Sequence, residues 1–118
     1  MPHIKLEYTE NVEWKESVQK IFPKLQSVLI SHAKVKPENC KHRATQLQDY
    51  LCTIENHPGG FVHLEISLLS GRSEEIKSII GEECGQIIQS FIKNLTELQL
   101  SVELRDMDRS SYFTTNIL

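Results

Sequence analysis

The second residue of the chain is a proline, and at that position a proline can do chemistry that it cannot do elsewhere. In "MPHIKLEYTEN" a small residue follows the initiator, which favours removal of Met1. Pro2 would then carry the amino group of the chain, a secondary amine whose direction the ring fixes. Its proton affinity starts near the ~8 of an ordinary chain terminus. An apolar pocket or neighbouring cations lower that value toward neutrality, where an amine serves best as a general base. The plainer reading is that Pro2 opens a strand, the one strand position where its missing N–H costs little.

The other reactive side chains point away from metals and disulfides. Cys40, Cys52 and Cys84 are odd in number and form no CxxC pair, so neither a disulfide framework nor a zinc site is expected. His3, His32, His42, His57 and His63 form no HExxH, so no metal site and no cofactor are expected.

Positioning Pro2 requires a scaffold, and hydrophobic spacing outlines one. Ile4, Leu6 and Tyr8 alternate with His3, Lys5 and Glu7, the period of a half-buried strand. In "ENVEWKESVQKIFPKLQSVLISHA", Trp14, Val18, Ile21, Phe22, Leu25, Val28 and Leu29 recur at three and four, which predicts an amphipathic helix kinked at Pro23. "VKPENCK" reads as a turn, "HRATQLQDYLCTIE" as a long second strand, and "NHPGG" as a stop to any regular element. A third strand, "FVHLEISLL", places Val62, Leu64, Ile66 and Leu68 on one face. Ser73 then caps a helix over "SGRSEEIKSIIGEECGQIIQSFIKNLTEL", with Ile76, Ile79, Ile80, Cys84, Ile87, Ile88, Phe91 and Leu95 as its apolar side. "LQLSVELRD" is the fourth strand, and the polar tail "MDRSSYFTTNIL" ends in Ile117 and Leu118.

The order is β-α-β twice, which predicts an α+β fold of duplicated β-α-β units, halves of about 1–57 and 58–118 in a single domain, 1–118. Each half is a parallel pair joined by a right-handed crossover, so the expected product is a four-stranded mixed sheet with both helices on one face. The uncovered face predicts association with further copies, and the apolar end of the tail is expected to reach one of them. At 118 residues, 39% hydrophobic and 25% charged, the chain suits one domain with its own core. A net charge of −3 argues against a nucleic-acid partner. No run approaches the ~20 apolar residues of a membrane span and no signal-peptide pattern opens the chain, so a cytoplasmic protein without a membrane partner is expected.

"MPHIKLEYTEN", "KHRA" and "FVHLEISLLSGRSEE", in this order and spacing, resemble the 5-carboxymethyl-2-hydroxymuconate isomerase family of the tautomerase superfamily. The resemblance implies a tautomerase-like homotrimer acting in aromatic catabolism without a cofactor, its N-terminal proline ketonising a small carboxylated dienol. It implies Pro2 as the catalytic base and Arg72, Arg43 and Lys41 as substrate-binding cations. Arg72 stands at the turn into the second helix, whose dipole favours an anion, and its guanidinium can grip a carboxylate with two hydrogen bonds. Lys41 departs from the family, which carries arginine there; lysine keeps the charge and loses the fork. "TQLQDY" is less aromatic than the family at that stretch. The competing expectation is a non-catalytic ligand-binding or interaction module on a ferredoxin-like βαββαβ fold, which has no use for an N-terminal proline.

Overall fold

The computed structural model describes residues 1–117 and gives the elements β1 (His3–Thr9), α1 (Phe22–Ala33), β2 (Lys41–Leu47), β3 (Thr53–Ile54), β4 (His57–Pro58), β5 (Gly60–Leu69), α2 (Glu74–Ser90) and β6 (Leu98–Met107). Four strands form one mixed sheet in the order β2-β1-β5-β6. β1 runs parallel to β2 and β5 parallel to β6, while β1 and β5 meet antiparallel at the centre. Each parallel pair is joined by its own helix, as the duplicated β-α-β pattern requires. No strand is inserted between the members of a pair, which separates this topology from the split β-α-β of the ferredoxin-like alternative.

Both helices cover the same face. Ile4 and Leu6 of β1, with Val62, Leu64, Ile66 and Leu68 of β5, are fully or almost fully buried against Leu25 and Leu29 of α1 and Ile80, Cys84 and Ile88 of α2. The opposite face is polar and carries an ion-pair chain: Glu65 of β5 accepts from Arg105 at 2.7 Å and lies 3.8 Å from Lys5, while Arg105 also approaches Glu103 at 3.6 Å. The face left open by the helices is therefore charged rather than apolar.

Three elements differ from the sequence pattern. The first helix is confined to Phe22–Ala33, preceded by a 3-10 turn at Val18–Ile21. Pro23 lies in its first turn, where no preceding carbonyl is displaced, so it starts the helix instead of kinking it. Trp14 is outside the helix and bridges Ile92, with its ring edge-on to Tyr8. The second strand ends at Leu47, partway through the "HRATQLQDYLCTIE" stretch, and the remainder of that stretch feeds a small hairpin of β3 and β4. Glu55 and Asn56 turn that hairpin with positive φ, and Pro58 pairs with Thr53 inside the expected stop. The second helix ends at Ser90 because Phe91 O accepts from Lys15 N and Lys93 N donates to Glu13 O, both at 2.8 Å, which leaves Leu95 in a separate turn and partly exposed. The expected cap is present: Ser73 Oγ accepts from Ile76 N at 3.2 Å.

"PGG" also has a packing reason. Thr9, the one buried polar side chain in the core of the described residues, donates to Asn11 Oδ1 at 2.6 Å and accepts from Phe61 N at 3.1 Å. A Cβ on Gly60 would overlap both Thr9 Oγ1 and Asn11 Oδ1. In the tail, Ile117 is exposed; the expectation for Leu118 lies outside the described residues.

Candidate active site

Pro2 is buried at the start of β1, where its carbonyl accepts the backbone N–H of Lys41 at 3.1 Å and so joins the first residues of β1 and β2. Beside it is a recess of about 260 Å³, lined by Met1 and Pro2, by Lys34 and Lys36 after α1, by Arg72 between β5 and α2, and by Arg109 after β6. Among the described residues no carboxylate lines it. None of the ion pairs among the described residues involves any of these four cations; the acidic partners are taken by Lys5, Lys20, His32, His63, Lys77 and Arg105. A chain with a net negative charge thus collects unpaired positive charge around its first two residues.

Arg72 is half-buried and anchored. Its Nη1 donates to Leu69 O at 3.0 Å and its Nη2 to Ala33 O at 2.9 Å, tying the end of β5 to the last residue of α1. Its Nε–H and one N–H on each terminal nitrogen are left for a ligand. α1 ends with Lys34 in the left-handed conformation (φ 58°), and Lys34 Nζ folds back to Ser31 O at 2.8 Å. Helix carbonyls at this end are electronegative, and Arg72 and Lys34 neutralise them where they face the recess.

The field has a direct effect on an amine there. The chain-terminal ammonium of Met1 is held below its ordinary pKa, first by burial and then by Arg72, with Arg109 and Lys41 adding to the effect and Cys40 opposing it. Burial pushes the Cys40 thiol up despite Lys41 and the chain terminus. A neutral thiol exerts no opposing charge, so the lowering dominates at neutral pH.

Of the residues singled out in the sequence, the fold brings Pro2 and Arg72 into one recess. Lys41 and Arg43 lie on the outward face of β2, in register with His3 and Lys5. Lys41 Nζ donates to Glu38 O at 3.1 Å, and Arg43 Nη2 approaches His3 Nδ1 at 3.1 Å. Neither lines the recess, although the charge of Lys41 is felt at the terminal amine. Lys34, Lys36 and Arg109 were not legible as partners of Pro2, since Lys34 precedes the "VKPENCK" turn, Lys36 lies within it and Arg109 sits in the tail; the available signal was their sign, not their place.

Comparison with curated proteins finds no match. Among solved structures, a 5-carboxymethyl-2-hydroxymuconate isomerase from Deinococcus radiodurans R1 superposes with a TM-score of 0.81 at 28% identity, covering 98% of this chain and 90% of that one. A 5-carboxymethyl-2-hydroxymuconate delta-isomerase superposes at 0.65 with 14% identity, covering 99% and 88%. A fused 4-OT symmetric trimer superposes at 0.72 with 12% identity, covering 98% and 94%; these last two show a common fold. The family model for 5-carboxymethyl-2-hydroxymuconate isomerase matches residues 2–118. With the match beginning at Pro2 and running to the end of the sequence, this chain belongs to the 5-carboxymethyl-2-hydroxymuconate isomerase family.

Proposed function

We propose that the protein is a cofactor-free isomerase that ketonises a carboxylated dienol, 5-carboxymethyl-2-hydroxymuconate or a close analogue, with Pro2 as the general base. One observation carries this reading: Pro2 is buried in a recess lined by four cations and, among the described residues, by no carboxylate. Such a site attracts a polyanion and favours the free base of an amine. After loss of Met1, the Pro2 nitrogen takes the proton of the 2-hydroxyl and returns it to a distant carbon of the conjugated chain. The hydroxyl becomes a carbonyl and the double bonds shift, so the step needs no oxidant or reductant. Arg72 holds a substrate carboxylate and stabilises charge that develops during transfer, the larger share of the catalysis; proton transfer contributes ~10²- to 10⁴-fold. Lys41 adds to the positive field, and Arg43 acts from the outward face of β2.

A homotrimer fits the same reading. Both edge strands, β2 and β6, lack a neighbour in a single chain, and a structure of the same fold is a symmetric trimer. The test is an ultraviolet ketonisation assay of Pro2→Ala whose Met1 is removed. Activity must fall strongly while the assembly stays intact; unchanged activity overturns Pro2 as the base.

A further inference from the structure

The tail after β6 is not a loose end. Asp108 Oδ1 accepts from Ser110 N at 3.0 Å and Ser110 Oγ at 2.9 Å, closing a short 3-10 turn over Arg109–Ser111. On one side of this turn, Arg109 Nε donates to Ser70 O at 3.0 Å, and a terminal nitrogen lies 3.7 Å from the site of a Cβ on Gly71. Gly71 has φ +132°, a conformation suited to glycine. On the other side, Tyr112 reaches the outward face of β1, where its hydroxyl is 2.9 Å from His3 Nε2 and the two rings meet edge-on.

The hydrogen positions in that contact follow from Arg43. A guanidinium only donates, so the Arg43 contact requires His3 Nδ1 to accept and puts the proton of the neutral ring on Nε2, which donates to Tyr112 Oη. Arg43, His3 and Tyr112 thus form a strap that fastens the tail to β1 one residue from Pro2. The strap and the Ser70 contact hold Arg109 in the recess with its two terminal nitrogens unpaired by any described carboxylate.

We infer that the tail supplies a specificity residue: Arg109 binds a second carboxylate of the substrate, and the Arg43–His3–Tyr112 strap positions it. The inference rests on the isomerase reading for the reaction but not for the anion. It assigns His3, Tyr112 and Arg43 to positioning, and makes discrimination between poly- and monocarboxylate enols a property of residues 108–112. Without Arg109 the recess keeps Arg72 for one carboxylate and loses the fork for another.

The test compares Arg109→Gln, Arg109→Lys and Tyr112→Phe in the full chain, with two substrates: 5-carboxymethyl-2-hydroxymuconate and the enol of phenylpyruvate, which bears one carboxylate. Arg109→Gln should lower kcat/KM for the tricarboxylate about 10-fold or more, chiefly through KM, and change the monocarboxylate by less than about 3-fold. Arg109→Lys should recover part of the loss, and Tyr112→Phe should show a smaller loss with the same selectivity. Equal effects on both substrates, or none, overturn the inference while leaving the isomerase intact. Calorimetric titration with citrate supplies an activity-independent arm. If the wild type turns over neither enol yet binds citrate in an Arg109-dependent way, the isomerase reading fails and the assignment of Arg109 stands. If citrate binding is indifferent to Arg109→Gln, the assignment falls.

Discussion

Beyond the loss of its carboxylate contact, replacing Arg72 with alanine should damage the protein in two separable ways. The first is structural: the substitution deletes two hydrogen bonds from a charged donor, to Leu69 O and Ala33 O, that join β5 to the end of α1. Each such bond contributes about 1.5–3 kcal/mol when intact. Because Arg72 is only half-buried, water can reach the freed carbonyls and recover part of this, which leaves a net loss of about 2 kcal/mol. For a domain of this size that lowers Tm by roughly 8 °C. The second effect is electrostatic. After burial itself, Arg72 is the foremost charge holding the Met1 amine below its ordinary pKa, and Pro2, which shares the Arg72 recess, would carry that amine once Met1 is removed. Removal of Arg72 raises the amine pKa, so more of the base is protonated at a given pH and the acid limb of kcat/KM moves to higher pH. Arg72→Lys keeps the charge and loses the second strut, so it should lower Tm while leaving the acid limb near its original place. Thermal denaturation followed by circular dichroism, with pH–rate profiles of all three proteins, separates the effects. An Arg72→Ala protein with unchanged Tm and an unmoved acid limb would refute both halves of this reasoning.

Other outcomes follow from the packing and the edges. Gly60→Ala should cost about 1–3 kcal/mol in urea denaturation, because its Cβ would enter the space of the Thr9 hydroxyl and the Asn11 amide; a neutral result would mean that this pair readily moves aside. Leu64→Ala, at the fully buried centre of β5, should cost about 2–5 kcal/mol by the same assay. Light scattering in dilute buffer should return about three chains per particle, and a stable monomer would count against the trimer.

The strands and the second helix start were legible because their signals are local: alternation over "HIKLEY", "FVHLEISLL" and "LQLSVEL", and a serine before two glutamates at Ser73. Pro23 misled because a proline suits the first turn of a helix as well as it disrupts the middle, and only the tertiary contact of Trp14 with Ile92 shows that the preceding stretch is not helical. The second strand was overextended because hydrophobic residues beyond Leu47 look like more of the same strand, whereas Leu51 is 91% exposed. Within the candidate recess, Pro2 and Arg72 are the two residues that position and motif had singled out. Arg109 was not: it is 107 residues from Pro2 in sequence, and only the pairing of β5 with β6 returns the tail to the beginning of β1. Arg43, expected as a substrate-binding cation, lies beside His3 on the outward face of β2, a placement set by strand parity that charge alone does not reveal when the neighbouring positions are also polar.

The central claim is that, once Met1 is removed, the Pro2 nitrogen is a free amine, that its burial in the Arg72 recess lowers its pKa in the direction in which burial and Arg72 lower that of the Met1 amine, and that this same group limits the reaction at low pH. Nitrogen NMR of proline-labelled protein, titrated alongside kcat/KM for ketonisation, addresses it most directly. The account predicts one proline nitrogen that titrates below the ordinary chain-terminal value of ~8, with a midpoint that coincides with the acid limb of the rate. A Pro2 nitrogen that remains an amide because Met1 is retained, or one that titrates away from the kinetic limb while activity persists, would contradict it.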